Sequence, residues 1–289
     1  MDNLHSIWGA INKTPALTAG LTVFTFILCV IKNTFGVEML SLVLYPRSPL
    51  DLNLNAISLY SLVHVGYLHW LFNVLSIFVP LSIFEKRHGT VYTGITLNLL
   101  TVIAALQYCA VGLLLYPNTG VVGLSGIAFS FFSYMAYQEH QYKPVMESFH
   151  IGSLEIKLYT LTAPFIAALV FWVIFPTSSF PGHLAGISTG FLLAFGYINK
   201  LYPPSSIILK IEQVLAPGIR LLAPIVFYHK EEDAVQMRSV SYAPLFTEDM
   251  ESLSSATNHH PQATNSTTTT TSTTRTASYV RESRVLGEA

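Results

Sequence analysis

Six long runs of apolar residues limit what this 289-residue chain can fold into. A helix that crosses the hydrocarbon core of a bilayer needs about 17–25 mainly apolar residues, and every run reaches that length. The runs cover residues 15–31, 56–84, 91–116, 121–137, 158–175 and 182–198. Charged residues make up only 11% of the chain, whereas a soluble domain carries about a quarter. We therefore predict an all-α, polytopic membrane protein with a bundle of six membrane-spanning helices over residues 15–199.

The placement of Lys and Arg predicts the orientation of these spans, because cytoplasmic loops carry an excess of both residues. With six spans, the N-terminus, the second and fourth loops and the C-terminus share one side. That side carries Lys13, Lys86, Arg87, Lys143, Lys157, Lys200 and Lys210 close to the spans, and the other side carries Lys32 and Arg47. We expect both termini, including residues 1–14, in the cytosol, and the long loop 32–55 in the lumen or outside the cell. The net charge of −1 indicates no nucleic-acid partner.

The chain changes character after the sixth run. Residues 200–230 have an apolar face, but Lys210, Glu212 and Arg220, together with two prolines, argue against a seventh span. A helix on the cytosolic membrane surface and a plain linker both fit this pattern. Residues 231–289 are polar and become rich in Ser and Thr, a composition that cannot bury a core. We expect a disordered cytosolic tail there, open to a cytosolic partner.

Ser125 stands between two glycines, where the polar loop 116–120 gives way to the fourth run. In the first turn of a helix, free backbone N–H groups and the positive end of the helix dipole collect. Gly123 allows a sharp turn before the serine, and Gly126 leaves space beside its hydroxyl. This setting suits a nucleophile whose product is an oxyanion, although a Ser/Gly cluster in a membrane helix is more often a packing face.

The ionisable side chains within the runs narrow the chemistry, because such residues are costly in a membrane and usually functional. Glu85 lies at the cytosolic end of the second run. The six runs otherwise contain no Asp or Glu. The carboxylate pair of an aspartyl protease, the Glu of an H-E-x-x-H zinc site and the acid of a Ser-His-Asp triad are therefore missing. The remaining candidates are His64 and His69 in the second run and His183 at the start of the sixth. Counting spans puts Ser125, His69 and His183 at one depth on the lumenal side.

His69 and Asn73 lie four residues apart, so they share a helix face on which each offers an N–H donor. In a continuous helix, His64 would point away from that face, which leaves it a supporting role. An interhelical hydrogen-bonded pair is the alternative interpretation of His69 and Asn73, and His183 alone could be a satisfied polar residue.

Small residues on two runs predict where helices approach closely. Gly186 and Gly190 lie on nearly the same face as His183, and Gly126 and Ser130 offer a matching surface on the fourth run. Contact between these two runs would bring Ser125 within reach of His183.

These motifs resemble those of the rhomboid intramembrane serine proteases. The family's G-x-S-G motif is matched by residues 123–126, its H-x4-H-x3-N pattern by His64, His69 and Asn73, and its last-span motif by His183, Gly186 and Gly190. The six-span form with a hydrophilic tail is most similar to the fungal rhomboids of the Golgi. The first loop differs, since Tyr45-Pro46-Arg47 is only a loose counterpart of the family's Trp-Arg pair, and Phe129 replaces a frequent Tyr.

The resemblance implies that Ser125 is the nucleophile, that His183 is its general base and acid, and that His69 and Asn73 stabilise the oxyanion. It implies cleavage of single-span or polytopic membrane proteins near the lumenal end of a helix, through an acyl-enzyme. No acid orients His183, so packing against a residue such as Phe129 must hold it. No metal or organic cofactor is implied, and the expected location is a secretory-pathway membrane, that of the Golgi, with the cis-Golgi or the endoplasmic reticulum as the alternative.

Two other classes stay open. A proteolytically inactive rhomboid relative that binds membrane proteins for quality control would lack the Ser or the His, and this chain keeps both. A transporter that uses His64, His69 and His183 as metal ligands would need three imidazoles to converge, and the spans offer no anionic ligand.

Overall fold

Helices dominate the computed structural model, which describes residues 14–151 and 154–239. The helices are α1 Ala16–Phe35, α2 Leu54–Leu59, α3 Tyr67–His88, α4 Thr90–Leu115, α5 Ser125–His140, α6 Ala163–Ile174, α7 Phe180–Ala194, α8 Ser205–Leu222 and α9 Glu231–Ser239. Two antiparallel strands, β1 Val145–Ile151 and β2 Leu154–Tyr159, separate α5 from α6. The expectations for residues 1–13 and 240–289, a cytosolic N-terminal segment and a disordered tail, lie outside the described residues.

Three of the described helices, α1, α3 and α4, are long and apolar enough to cross a membrane. The segment Thr160–Ile174, which includes α6, is apolar but shorter, and α5 and α7 have 16 and 15 residues. The 22 residues of α3 extend over about 33 Å at 1.5 Å per residue, which matches a hydrocarbon core of about 30 Å. The protein is therefore a mostly helical, polytopic membrane protein.

The second apolar run is two helices. The predicted span over 56–84 starts too early, because α2 ends at Leu59 and the candidate span α3 begins only at Tyr67. Gly66, just before α3, has an extended backbone with φ −160° and ψ 177°. Hydrophobicity alone does not distinguish one continuous helix from a short helix followed by a loop.

The β-hairpin between α5 and α6 was not expected from the sequence, which predicted an all-α protein. Phe149 pairs with Ile156, and His150 pairs with Glu155, in antiparallel register. The segment alternates apolar and polar residues over only a few positions, which is a weak strand signal beside the long apolar runs.

Helices α5 and α7 pack with their backbones in contact. A Cβ atom added at Gly186 would meet the backbone of Gly126, and one added at Gly190 would meet the backbone of Ser130. The Ser130 hydroxyl also donates a hydrogen bond to the Gly186 carbonyl at 2.8 Å. The predicted close approach of the fourth and sixth runs is confirmed, and it fixes the relative positions of the first turns of α5 and α7.

Glu85, near the end of α3, joins the ends of three helices. Its carboxylate is fully buried and accepts hydrogen bonds from the backbone N–H groups of Leu17 and Thr18 and from the hydroxyls of Thr18 and Thr90, at 2.8–2.9 Å. A carboxylate at a helix N-terminus satisfies free N–H groups and interacts favourably with the helix dipole. Glu85 therefore ties the N-terminal ends of α1 and α4 to the C-terminal end of α3.

The segment that follows α8 folds back onto the same helix ends. Thr90 donates its backbone N–H to the His229 carbonyl at 2.8 Å, and the His229 N–H donates to the Thr90 hydroxyl at 3.0 Å. Within α9, Arg238 pairs with Glu231 and lies over the ring of Tyr92 on α4. The prediction that disorder begins at residue 231 is wrong for α9, because a polar composition does not reveal such specific contacts.

Helix α8 occupies most of the segment 200–230. It exposes apolar side chains such as Val214 and Leu221 beside exposed Lys210 and Arg220. This two-sided pattern is typical of a helix that lies on a membrane surface. Its position at the cytosolic surface stays a prediction.

Candidate active site

Ser125 is the first residue of α5 and is half-buried. Two residues earlier, Gly123 adopts φ +111°, a conformation that favours glycine. The Gly123 N–H donates to the Tyr60 carbonyl at 3.0 Å, and Leu44 and Val121 exchange two backbone hydrogen bonds of 2.9 and 3.1 Å. The turn before Ser125 is thus held by the segment that follows α2 and by the long first loop, as the sharp turn predicted at Gly123 requires.

His183 lies in the first turn of α7, beside Ser125. The Ser179 hydroxyl caps this helix by accepting the Gly182 N–H at 3.1 Å. His183 is only 2% exposed, and its Nε2 lies 3.1 Å from Ser125 Oγ. The two side chains that the sequence analysis expected within reach of each other are in hydrogen-bonding contact.

Aromatic rings surround the His183 imidazole. The ring centroid of Phe129 is 4.6 Å away and that of Phe171 is 5.6 Å away. In the part of the chain that the structure describes, His183 Nδ1 is buried without a hydrogen-bond partner. The predicted packing of Phe129 against His183 is therefore confirmed. In a Ser-His-Asp triad a carboxylate would bind Nδ1, whereas here aromatic rings contact the imidazole.

His69 lies in the first turn of α3 and faces the turn before Ser125. Its Nδ1 accepts a hydrogen bond from the Val65 backbone N–H at 3.2 Å, so the proton of the neutral imidazole is on Nε2. A Cβ atom placed on Gly123 would lie 3.0 Å from that Nε2. An N–H donor of His69 therefore faces the Gly123 turn.

Asn73 shares the helix face of His69, as the spacing predicts. Its Nδ2 donates to the His69 carbonyl at 2.7 Å. Its buried Oδ1 has no hydrogen-bond partner among residues 14–151 and 154–239 and would lie 3.5 Å from a Cβ on Gly123. In this arrangement Asn73 turns an acceptor toward Gly123, and its amide must rotate to donate there.

His64 does not point away from His69, and that prediction is wrong. Because α3 begins at Tyr67, His64 lies in the preceding loop, and the two imidazole centroids are 5.3 Å apart. His64 is 1% exposed. Burial, followed by the proximity of His69, lowers the pKa of His64 to about 3, so the ring is neutral at physiological pH.

Ser125, His183 and His69 line one cavity of about 840 Å³. Phe72 of α3 and Phe175, just after α6, also line it, with their ring centroids 5.1 Å apart. Among the described residues of its wall, none is Asp or Glu. The cavity thus offers a serine beside an imidazole at a helix N-terminus, which is an arrangement suited to acyl transfer.

The sequence analysis missed Tyr60 and Val65, which hold Gly123 and His69 in place. Both act through backbone atoms. Because every residue except proline carries the same backbone donor and acceptor, their side chains gave no signal of these roles.

The region that contains this site matches a known protein family. A model of the Rhomboid domain matches residues 53–200, which contain α2 to α7. The Rhomboid-type serine protease 2 of Candida albicans is 56% identical over 278 residues, covering 95% of this chain and 93% of the relative. The protein of the same name from Debaryomyces hansenii is 50% identical over 280 residues, covering 96% and 93%. That from Saccharomyces cerevisiae is 38% identical over 234 residues, covering 80% and 87%.

Proposed function

We propose that Ser125 and His183 are the catalytic dyad of this chain. The chain itself belongs to the rhomboid family and is an intramembrane serine protease. The observation that carries the proposal is the 3.1 Å hydrogen bond between Ser125 Oγ and His183 Nε2. A serine hydroxyl is a weak nucleophile until an adjacent base accepts its proton.

His183 Nε2 takes the Ser125 proton as Oγ attacks the carbonyl carbon of a substrate peptide bond. The imidazolium then gives that proton to the leaving amine, and the acyl-enzyme forms. Water, deprotonated by the same Nε2, attacks the ester and restores the serine. Because Nε2 is the acceptor, the neutral ring carries its proton on Nδ1, and the packing of Phe129 keeps the ring oriented.

The oxyanion of each tetrahedral intermediate is held by the Ser125 backbone N–H and by His69 Nε2–H. The position of Ser125 at the start of α5 supports the first donor, since N–H groups there are free of helical partners. The Val65 hydrogen bond supports the second, because it leaves the His69 proton on Nε2. Asn73 joins these donors after its amide rotates away from the His69 carbonyl.

Six spans with both termini in the cytosol are the membrane arrangement that we propose. Ser125, His183 and His69 lie in the first turns of α5, α7 and α3, so these three helices lead away from one cavity. Alternating spans require this of the second, fourth and sixth spans, which are α3, α5 and α7, and the cavity then lies toward the lumen. Single-span or polytopic membrane proteins would be cleaved near the lumenal ends of their helices. The resemblance to fungal rhomboids supports a Golgi or endoplasmic reticulum membrane.

Labelling with a fluorophosphonate probe, together with co-expression of single-span substrates, tests the dyad. Ser125→Ala and His183→Ala should lose both labelling and cleavage. Ser133→Ala is the matched control, because Ser133 is buried on the same helix and donates to the Phe129 carbonyl; it should keep both activities. Labelling that persists in Ser125→Ala would refute the dyad. A wild-type protein that neither takes up the label nor cleaves a substrate would favour the inactive, membrane-protein-binding function.

A further inference from the structure

Lys32, in the last turn of α1, contacts the loop that precedes His69. Its Nζ donates a hydrogen bond to the Val65 carbonyl at 3.1 Å. Val65 in turn donates its backbone N–H to His69 Nδ1 at 3.2 Å. Two successive hydrogen bonds therefore connect the first helix to the imidazole that faces the Gly123 turn.

The Val65 hydrogen bond decides which nitrogen of His69 carries the proton. A neutral imidazole has one N–H, and the partner of one ring nitrogen sets the role of the other. While Val65 N–H is on Nδ1, Nε2 is a donor. If Val65 turns away, the proton can move to Nδ1, and Nε2 becomes an acceptor that would repel an oxyanion.

Val65 has little burial of its own to hold it, although His64 before it is buried. The Val65 side chain is 63% exposed, and Gly66, the next residue, lacks a side chain. The α1 helix supplies the missing restraint on both sides of this pair, because Lys32 binds the Val65 carbonyl and the Thr34 hydroxyl bonds to that of Tyr67.

We propose that Lys32 is a positioning residue for the oxyanion donor. By binding the Val65 carbonyl, it keeps the Val65 N–H on His69 Nδ1 and so directs His69 Nε2–H toward the substrate oxygen. The inference rests on the proposed function of His69. Lys32 precedes residues 53–200, to which the family model extends, so this role belongs to the first helix and not to the matched domain.

Lys32→Met and Lys32→Arg test the role, because Met keeps an apolar stem without a donor and Arg keeps a donor. With a quenched transmembrane peptide as substrate, Lys32→Met should lower kcat by about two- to tenfold, the equivalent of one weak hydrogen bond, with KM nearly unchanged. Lys32→Arg should restore most of the loss. Thr25→Val is the control, since it breaks another hydrogen bond between α1 and α3, from Trp70 Nε1 at 3.1 Å; it should lower stability and leave kcat unchanged.

The decisive comparison uses a His69→Gln background, which keeps a side-chain N–H donor but has no Nδ1. Lys32→Met should have no further effect there. An equal loss of kcat in both backgrounds, or no loss in either, overturns the role of Lys32. A His69→Ala enzyme with full kcat overturns it as well, because the donor itself would be dispensable. Activity that survives in Ser125→Ala contradicts the dyad instead, so the two proposals fail separately.

Discussion

Gly186→Ala tests whether the contact between α5 and α7 sets the geometry of the dyad. The added Cβ would lie 2.8 Å from the carbonyl carbon of Gly126 and 3.0 Å from its Cα, whereas nonbonded carbons prefer about 3.5–4.0 Å. Because the obstacle is backbone, it cannot rotate away as a side chain can. The two helices would have to separate by about 1 Å, and overpacking of this kind typically destabilises a fold by roughly 1–3 kcal/mol.

The same displacement acts on the reacting atoms. Gly126 is next to Ser125, and Gly186 is one turn after His183, so a shift of about 1 Å would extend their 3.1 Å hydrogen bond beyond the range of about 3.5 Å in which such bonds act. Misplacement on this scale lowers reaction rates by about 10²-fold. The hydrogen bond from Ser130 Oγ to the Gly186 carbonyl would be lost as well.

We therefore expect the rate of fluorophosphonate labelling to fall by about 100-fold and the unfolding temperature to fall by several degrees. A thiol-reactive fluorogenic dye measures unfolding here, because Cys29 and Cys109 are free and buried. Gly20→Ala on α1 is the control, since an added Cβ there would have no atom within 4 Å. Wild-type labelling and unfolding in Gly186→Ala would refute the idea that backbone contact holds the dyad.

Three further perturbations follow from the same contacts. Glu85→Ala removes the buried acceptor of four hydrogen bonds and should lower stability by about 3 kcal/mol or more, measured with the same dye; an unchanged unfolding temperature would contradict this. Phe129→Ala should slow labelling by about tenfold, less than a full 1 Å misplacement of His183, while Phe129→Tyr should retain the rate; equal rates in all three proteins would argue against packing as the device that orients the ring. Burial, then nearby Lys86, lowers the pKa of His229 to about 4, below the 6.5 of an unperturbed histidine side chain, so stability should decline as pH falls from about 6.5 toward 4. His229→Gln should make that decline shallower, and identical pH profiles would show that His229 does not titrate with folding.

The motif residues could be found from sequence because their chemistry lies in their side chains and their spacing. Ser125, His183 and the small residues of α5 and α7 meet as the helical periodicity predicts. The start of the second span was predicted wrongly because a hydrophobic pattern indicates burial in lipid but does not show whether the helix is continuous. The misplacement of His64 followed from that error, since a loop residue does not obey the helix periodicity used to orient it.

The amino-acid sequence by itself determined that this protein is embedded in a membrane, because its long apolar runs are not stable in water. It also determined which side chains are available for chemistry. Only the tertiary structure decided what those side chains face: a Val65 N–H for His69, a His69 carbonyl for Asn73, and four helix-end donors for Glu85. Most of these partners are backbone groups, and those from Leu17 and Thr18 reach Glu85 from a distant part of the chain. Backbone groups are the same at nearly every residue, so their meeting depends on packing geometry and leaves no mark in the order of side chains.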